Sequence, residues 1–186
     1  MLKKKKSSKR KAGRCMTFSQ CQDARFSVRR YSDKKVDSEL LQRVLEAGRK
    51  APTACNNQPQ YIYALQSEEA LGKIREAANI HDGPCVLLVC ADRTKAWIRS
   101  YDGMNAAVID ATIVTDQMMM AATELGLSTL WICHFQPDLV RESFSLPPQL
   151  VPVNLLVLGY AADGVTADPD RFTKMRKPLC ETCCIL

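Results

Sequence analysis

Cys85-Val86-Leu87-Leu88-Val89-Cys90-Ala91 is an unbroken apolar run, closed by Gly83-Pro84 on one side and Asp92 on the other. A strand with one wet face alternates apolar and polar residues, so a run without alternation predicts a strand covered on both faces. It is read here as the central strand of a sheet, and the rest of the chain is placed outward from it. Upstream, Tyr61 to Leu65 reads as a second strand. A helix follows it, opened by Ser67 with Glu68 and Glu69 and running to about Ala78. Downstream, Asn105 to Leu125 reads as a long helix, apolar over most of its circumference and ended by Gly126. Ser128 to Cys133 is a third strand, Pro137 opens a short helix over Asp138 to Phe144, and Val151 to Tyr160 is the last strand. Some connections are too short for a helical crossover. This favours an α+β fold with a mixed, mostly antiparallel central sheet flanked by helices over a doubly wound one.

The N-terminal third adds a short helix over Thr17 to Ala24. A second helix, capped by Asp37 or Ser38, carries Leu40, Leu41, Val44 and Leu45 on one face and ends near Gly48. Ala51-Pro52-Thr53-Ala54-Cys55-Asn56-Asn57-Gln58-Pro59-Gln60 reads as a loop, because prolines and asparagines interrupt regular backbone. Ala161 to Leu186 is expected to be extended and irregular. There is no internal repeat.

Charge divides the chain unevenly. Of 26 Lys and Arg, eight fall in residues 1–14 without an acid; the remaining 18 face 20 Asp and Glu, so the body is mildly acidic. Residues 1–15 are expected to be a disordered basic leader and 16–186 a single domain with an extended C-terminal tail. A footprint confined to a tail does not indicate a nucleic-acid-binding fold. The leader lacks the apolar core of a secretory signal, and no apolar run approaches the roughly 20 residues of a membrane span. Membrane contact is therefore not expected. Nine cysteines without a framework spacing suit free thiols in a reducing cytoplasm.

Between the first two helices lies Arg25-Phe26-Ser27-Val28-Arg29-Arg30-Tyr31. If extended, it projects Arg25, Ser27 and Arg29 to one side. Two forked guanidiniums flanking a hydroxyl match the oxygens of a phosphate. A solvated basic turn is the bland alternative.

Four blocks together resemble the FMN-dependent nitroreductase family. They are Arg25-x-Ser27-x-Arg29-x-Tyr31; Ala51-Pro52-Thr53-x-x-Asn56-x-Gln58-Pro59; Ala121 to Ile132; and Leu158-Gly159-Tyr160 followed by Lys174-x-Arg176-x-Pro178-Leu179. The resemblance covers the chain from about Met16. It implies that Arg25, Ser27 and Arg29 hold the FMN phosphate and ribityl chain, with Lys174 and Arg176 completing the clamp. It implies that the Pro52, Thr53, Asn56 and Gln58 loop reaches the flavin from the partner subunit. The strand end at Trp131, Ile132, Cys133 and His134 would line the flavin ring. The chain departs from the family pattern at Gln60, where an aromatic is common, at Thr53, and at Cys133-His134, where glycine is frequent.

The implied activity is hydride transfer from NADH or NADPH through flavin to a small acceptor, typically a nitroaromatic or a quinone. The flavin N5 carries the hydride, so no protein nucleophile or acid–base pair is expected. A specialised flavoenzyme of the family (a reductive dehalogenase or a flavin-cleaving enzyme) and a non-enzymatic flavin carrier are the alternatives. A homodimer with FMN at the interface is expected, because an apolar face on the Asn105–Leu125 helix would otherwise be exposed. No metal site is expected: Cys180-x-x-Cys183 has no second pair of suitable spacing. Cys183 to Leu186 also matches a prenylation box, but an exposed tail is the preferred reading. Cys133 is read as a small strand residue, Met118 to Met120 as helix core, and His134 as either a substrate contact or a loop residue.

Overall fold

The computed structural model describes residues 16–186. The expected leader, residues 1–15, lies outside the described residues. The elements are α1 Phe18–Ala24, α2 Ser38–Arg49, β1 Gln60–Leu65, α3 Glu68–Ala77, β2 Cys85–Asp92, α4 Ala107–Glu124, β3 Ser128–Ile132, α5 Pro137–Ser143, β4 Leu150–Gly159 and α6 Arg171–Met175. The sheet order is β1-β2-β4-β3, and every named pair is antiparallel. Among the described residues the parallel component is one bridge, Ser27 to Thr129.

Every residue of β2 is buried, and the pleat explains the unbroken apolar run. Val86, Leu88 and Cys90 enter one core with Leu71 and Ile74 of α3 and Val140 of α5. Cys85, Leu87, Val89 and Ala91 enter the other with Val44 of α2 and Val114 and Met118 of α4. Alternate side chains point to opposite faces, and helices cover both. The β2–β4 register shifts between Val89 and Cys90, which face Asn154 and Pro152. This irregularity lets a central strand carry a proline, which cannot donate to the ladder.

Helix signals act where the sequence places them. Thr17 and Gln20 form a capping box on α1, the Asp37 side chain caps α2, and the Ser67 side chain caps α3. The long helix starts two residues later than expected, because the Asn105 side chain accepts the Ala107 N–H instead of continuing the helix. The C-terminal segment is less irregular than expected. Asp170 starts a helical turn by accepting the Lys174 N–H, and a 3₁₀ turn forms at Leu179–Glu181. A further 3₁₀ turn, Ala54–Asn56, lies inside the expected loop.

Candidate functional site

The arginine stretch is an edge strand in all but name. The Val28 N–H donates to the Thr129 carbonyl at 3.0 Å, and Ser32 N–H to Tyr160. Val28 and Tyr31 enter the core. Alternation about Val28 turns Arg25, Ser27 and Arg29 outward, onto a cavity of about 320 Å³ that Arg171 and Arg176 also line; it does not extend to Tyr31, which turns inward again. Four guanidiniums and two hydroxyls, of Ser27 and Thr166, thus share the cavity with a single acid among the described residues, Asp168. Burial lowers the Arg25 pKa, the positive charges of Arg176 and Arg171 lower it further, and Asp116 opposes them. A half-buried cation pressed by like charges is stabilised by a counter-anion. The donor set and its uncompensated charge fit a phosphate.

Lys174, expected in this clamp, does not line the cavity. Its ammonium is 2.9 Å from Asp170 and 3.9 Å from Asp168. Arg171 stands there instead. Its Nη1 donates to the Asp168 carbonyl at 3.1 Å, its Nη2 to the Asp23 carbonyl, and its guanidinium stacks on Phe172.

A second cavity, of about 440 Å³, shares Arg25 with the first. Trp131, Phe18, Phe172, Met119 and Met120 give it flat and deformable apolar walls, and Asp116 lies at its lining. Together the two cavities offer a cationic end and an apolar body to one elongated ligand. Of the other residues at the β3 end, Ile132 packs into the core, whereas Cys133 and His134 are exposed and line neither cavity.

The Pro52–Gln58 loop is not brought to the arginines within the chain. Pro52, Asn56 and Gln58 are exposed and Thr53 is half-buried. The backbone is unusual: Cys55, Asn56 and Gln58 all have left-handed φ, at 51°, 55° and 49°. Non-glycine residues adopt it only when neighbours hold them there. The Thr53 hydroxyl accepts the Gln58 N–H at 3.1 Å, and buried Asp110 of α4 accepts the Ala54 N–H at 2.9 Å. The loop is therefore presented outward on a fixed stem.

Sequence reasoning missed Asp110, Asp116 and Arg171. The two acids leave a trace, being charges inside an otherwise apolar helix. Arg171 leaves little, because its neighbours Asp168 and Asp170 make it look paired.

The nitroreductase family model matches residues 23–81 and 75–160. A Methanothermobacter thermautotrophicus protein, a candidate NADH dehydrogenase/NAD(P)H nitroreductase, is 30% identical over 79% of this chain and 81% of its own length. The Bacillus subtilis FMN reductase [NAD(P)H] is 32% identical over 77% of this chain and 65% of its own. Among solved structures, a nitroreductase family protein of Clostridium difficile 630 superposes with a TM-score of 0.88 at 46% identity, covering 91% of this chain and 98% of that one. A nitroreductase-fold protein from Exiguobacterium sibiricum, solved in complex with FMN, shares the fold alone, at 21% identity and a TM-score of 0.78 over 92% of this chain and 98% of that one. The family model takes in the arginine stretch, the strained loop and all four strands, and by that match this chain belongs to the nitroreductase family.

Proposed function

We propose that this protein is an FMN-dependent oxidoreductase that takes reducing equivalents from NADH or NADPH and passes them to a small acceptor, a nitroaromatic or a quinone. The observation that carries this reading is the convergence of Arg25, Ser27, Arg29 and Arg176 on one cavity, joined through Arg25 to an apolar one. That pairing suits a ligand with a terminal phosphate and a flat ring system. Bound FMN supplies hydride chemistry at its N5. The relative from Bacillus subtilis, named an FMN reductase using NAD(P)H, supports the same cofactor and co-substrate.

The chain's own residues bind and orient. Arg25, Ser27, Arg29 and Arg176 grip the phosphate with charge-assisted bonds. Trp131 gives the ring a flat wall, and exposed Cys133 and His134 follow it at the solvent side of the strand end. Pro52, Thr53, Asn56 and Gln58, presented outward on their stem, reach the ring held by a second copy. A homodimer is supported by α4, where Val108 and Ile109 are 54% and 49% exposed beside a helix face that packs on the sheet. Exposed free thiols at Cys55, Cys133, Cys180, Cys183 and Cys184 suit a reducing cytoplasm.

The test is a visible spectrum of the purified protein, release of the flavin on denaturation, and oxidation of NAD(P)H with a nitroaromatic acceptor. We expect a yellow protein that releases FMN and turns over. A colourless protein that cannot be reconstituted with FMN overturns the proposal. Sedimentation at low micromolar concentration should report twice the chain mass, and an FMN-loaded monomer overturns the dimer.

A further inference from the structure

We infer that Arg171, not Lys174, is the second C-terminal cation of the phosphate site, and that Lys174 instead neutralises the acids beside it. The inference rests on the proposed FMN site and goes beyond it, because position in the motif points to Lys174. The geometry separates the two. Arg171 lines the cavity with Arg25, Arg29 and Arg176, whereas Lys174 is held by Asp170 at 2.9 Å and Asp168 at 3.9 Å.

Arg171 also has a donor to spare. A guanidinium carries five N–H groups. Nη1 and Nη2 each donate one to a carbonyl, of Asp168 and Asp23, which leaves three. Nε is buried, and among the described residues it is the buried guanidinium nitrogen without a hydrogen-bond partner. A buried donor left unpaired is destabilising, and an anionic oxygen in the cavity relieves it. The two carbonyl bonds and the stacking on Phe172, at 4.3 Å from the ring centroid, hold the fork in place, so little freedom is lost on binding.

Lys174 serves the same charge balance indirectly. Among the described residues Asp168 is the one acid lining the cavity, and an unpaired carboxylate there would oppose a phosphate. The ammonium of Lys174 offsets Asp168 and Asp170 together.

The experiment compares FMN with riboflavin, which lacks the phosphate, by fluorescence titration of flavin-stripped full-length protein. The variants are Arg171→Ala, Lys174→Ala and, as the control for the site itself, Arg25→Ala. Loss of one charge-assisted bond to phosphate predicts about ten- to a hundredfold weaker FMN binding in Arg171→Ala, with riboflavin binding unchanged. Lys174→Ala should lose less FMN affinity than Arg171→Ala, and Arg171→Lys should fall between Arg171→Ala and the unmodified protein. An equal or larger FMN-selective loss in Lys174→Ala overturns the inference. So does a loss of FMN and riboflavin alike in Arg171→Ala, which would make Arg171 a structural strap to Asp23. In either case an FMN-selective loss in Arg25→Ala leaves the phosphate site standing; if Arg25→Ala also fails to distinguish the two flavins, the site reading itself is wrong. If Arg171→Ala does not fold, Arg171→Gln keeps a donor for the Asp23 carbonyl and carries the same comparison.

Discussion

Replacing Asp110 by alanine should release the strained loop without touching the arginine cavity. Asp110 lies in the first turn of α4 and is 1% exposed; its Oδ1 accepts the Ala54 N–H at 2.9 Å. Three residues just beyond Ala54 hold left-handed backbone, a conformation costing about 1–3 kcal/mol each for non-glycine residues. The remaining restraints are local: Gln58 N–H to the Thr53 hydroxyl, Gln58 Nε2 to the Asn56 carbonyl, Asn56 N–H to the Thr53 carbonyl and Asn57 N–H to the Ala54 carbonyl. The Asp110 bond is what ties this self-contained turn to the core. Stranding the half-buried Ala54 N–H should cost about 1–3 kcal/mol. For a domain of this size that lowers the melting temperature by about 2–12 °C. The same energy speeds hydrogen exchange at the Ala54 amide by about 5- to 150-fold. Asp110→Asn keeps one oxygen acceptor, so it should stay close to the unmodified protein. Thermal melts and amide exchange on the three proteins make the comparison. Unchanged melting and unchanged Ala54 exchange in Asp110→Ala would refute the anchoring role.

Other positions give sharp contrasts. A Cβ at Gly83 would lie 2.0 Å from Val157 Cγ1 and 3.3 Å from the Ile80 carbonyl, so Gly83→Ala should destabilise by about 1–3 kcal/mol or more. Adding Val157→Ala should recover part of that loss in denaturant melts, and strict additivity would refute the clash. Nothing lies within 4 Å of a Cβ at Gly72, inside α3, so Gly72→Ala should raise stability by about 0.5–1 kcal/mol; a lower melting temperature would contradict this. Burial pushes the Cys85 and Cys90 thiols up to about 12, with Arg141 weakly opposing at Cys90. Iodoacetamide at about pH 8 should therefore label exposed Cys55, Cys133, Cys180, Cys183 and Cys184 and spare these two until the chain unfolds, as peptide mapping would show. Because their folded values lie above the ordinary thiol value of about 8.5, the stability linked to them is complete below that pH. It is lost as pH rises toward about 12; no loss in alkaline denaturant melts would contradict the burial shift.

What could be read from the sequence was local in origin. The run from Cys85 to Ala91 announced a strand covered on both faces, because only burial on both sides removes the alternation. Asp37 or Ser38 and Ser67 announced helix starts, because such side chains satisfy N–H groups within a few residues. The alternation of Arg25, Ser27 and Arg29 around Val28 announced three side chains on one side, and they line one cavity, because the pleat period belongs to the strand itself. Tertiary structure alone decided which distant groups share space. The order β1-β2-β4-β3 sets β4 beside β2 and puts the arginine stretch against β3, and no local pattern encodes that adjacency. The C-terminal cations divide in the same way. Lys174 and Arg171 stand three residues apart, yet folding turns one onto Asp168 and Asp170 and the other onto the cavity with Arg25. Charge type is a property of the residue, whereas the field a charge meets depends on every segment that packs around it.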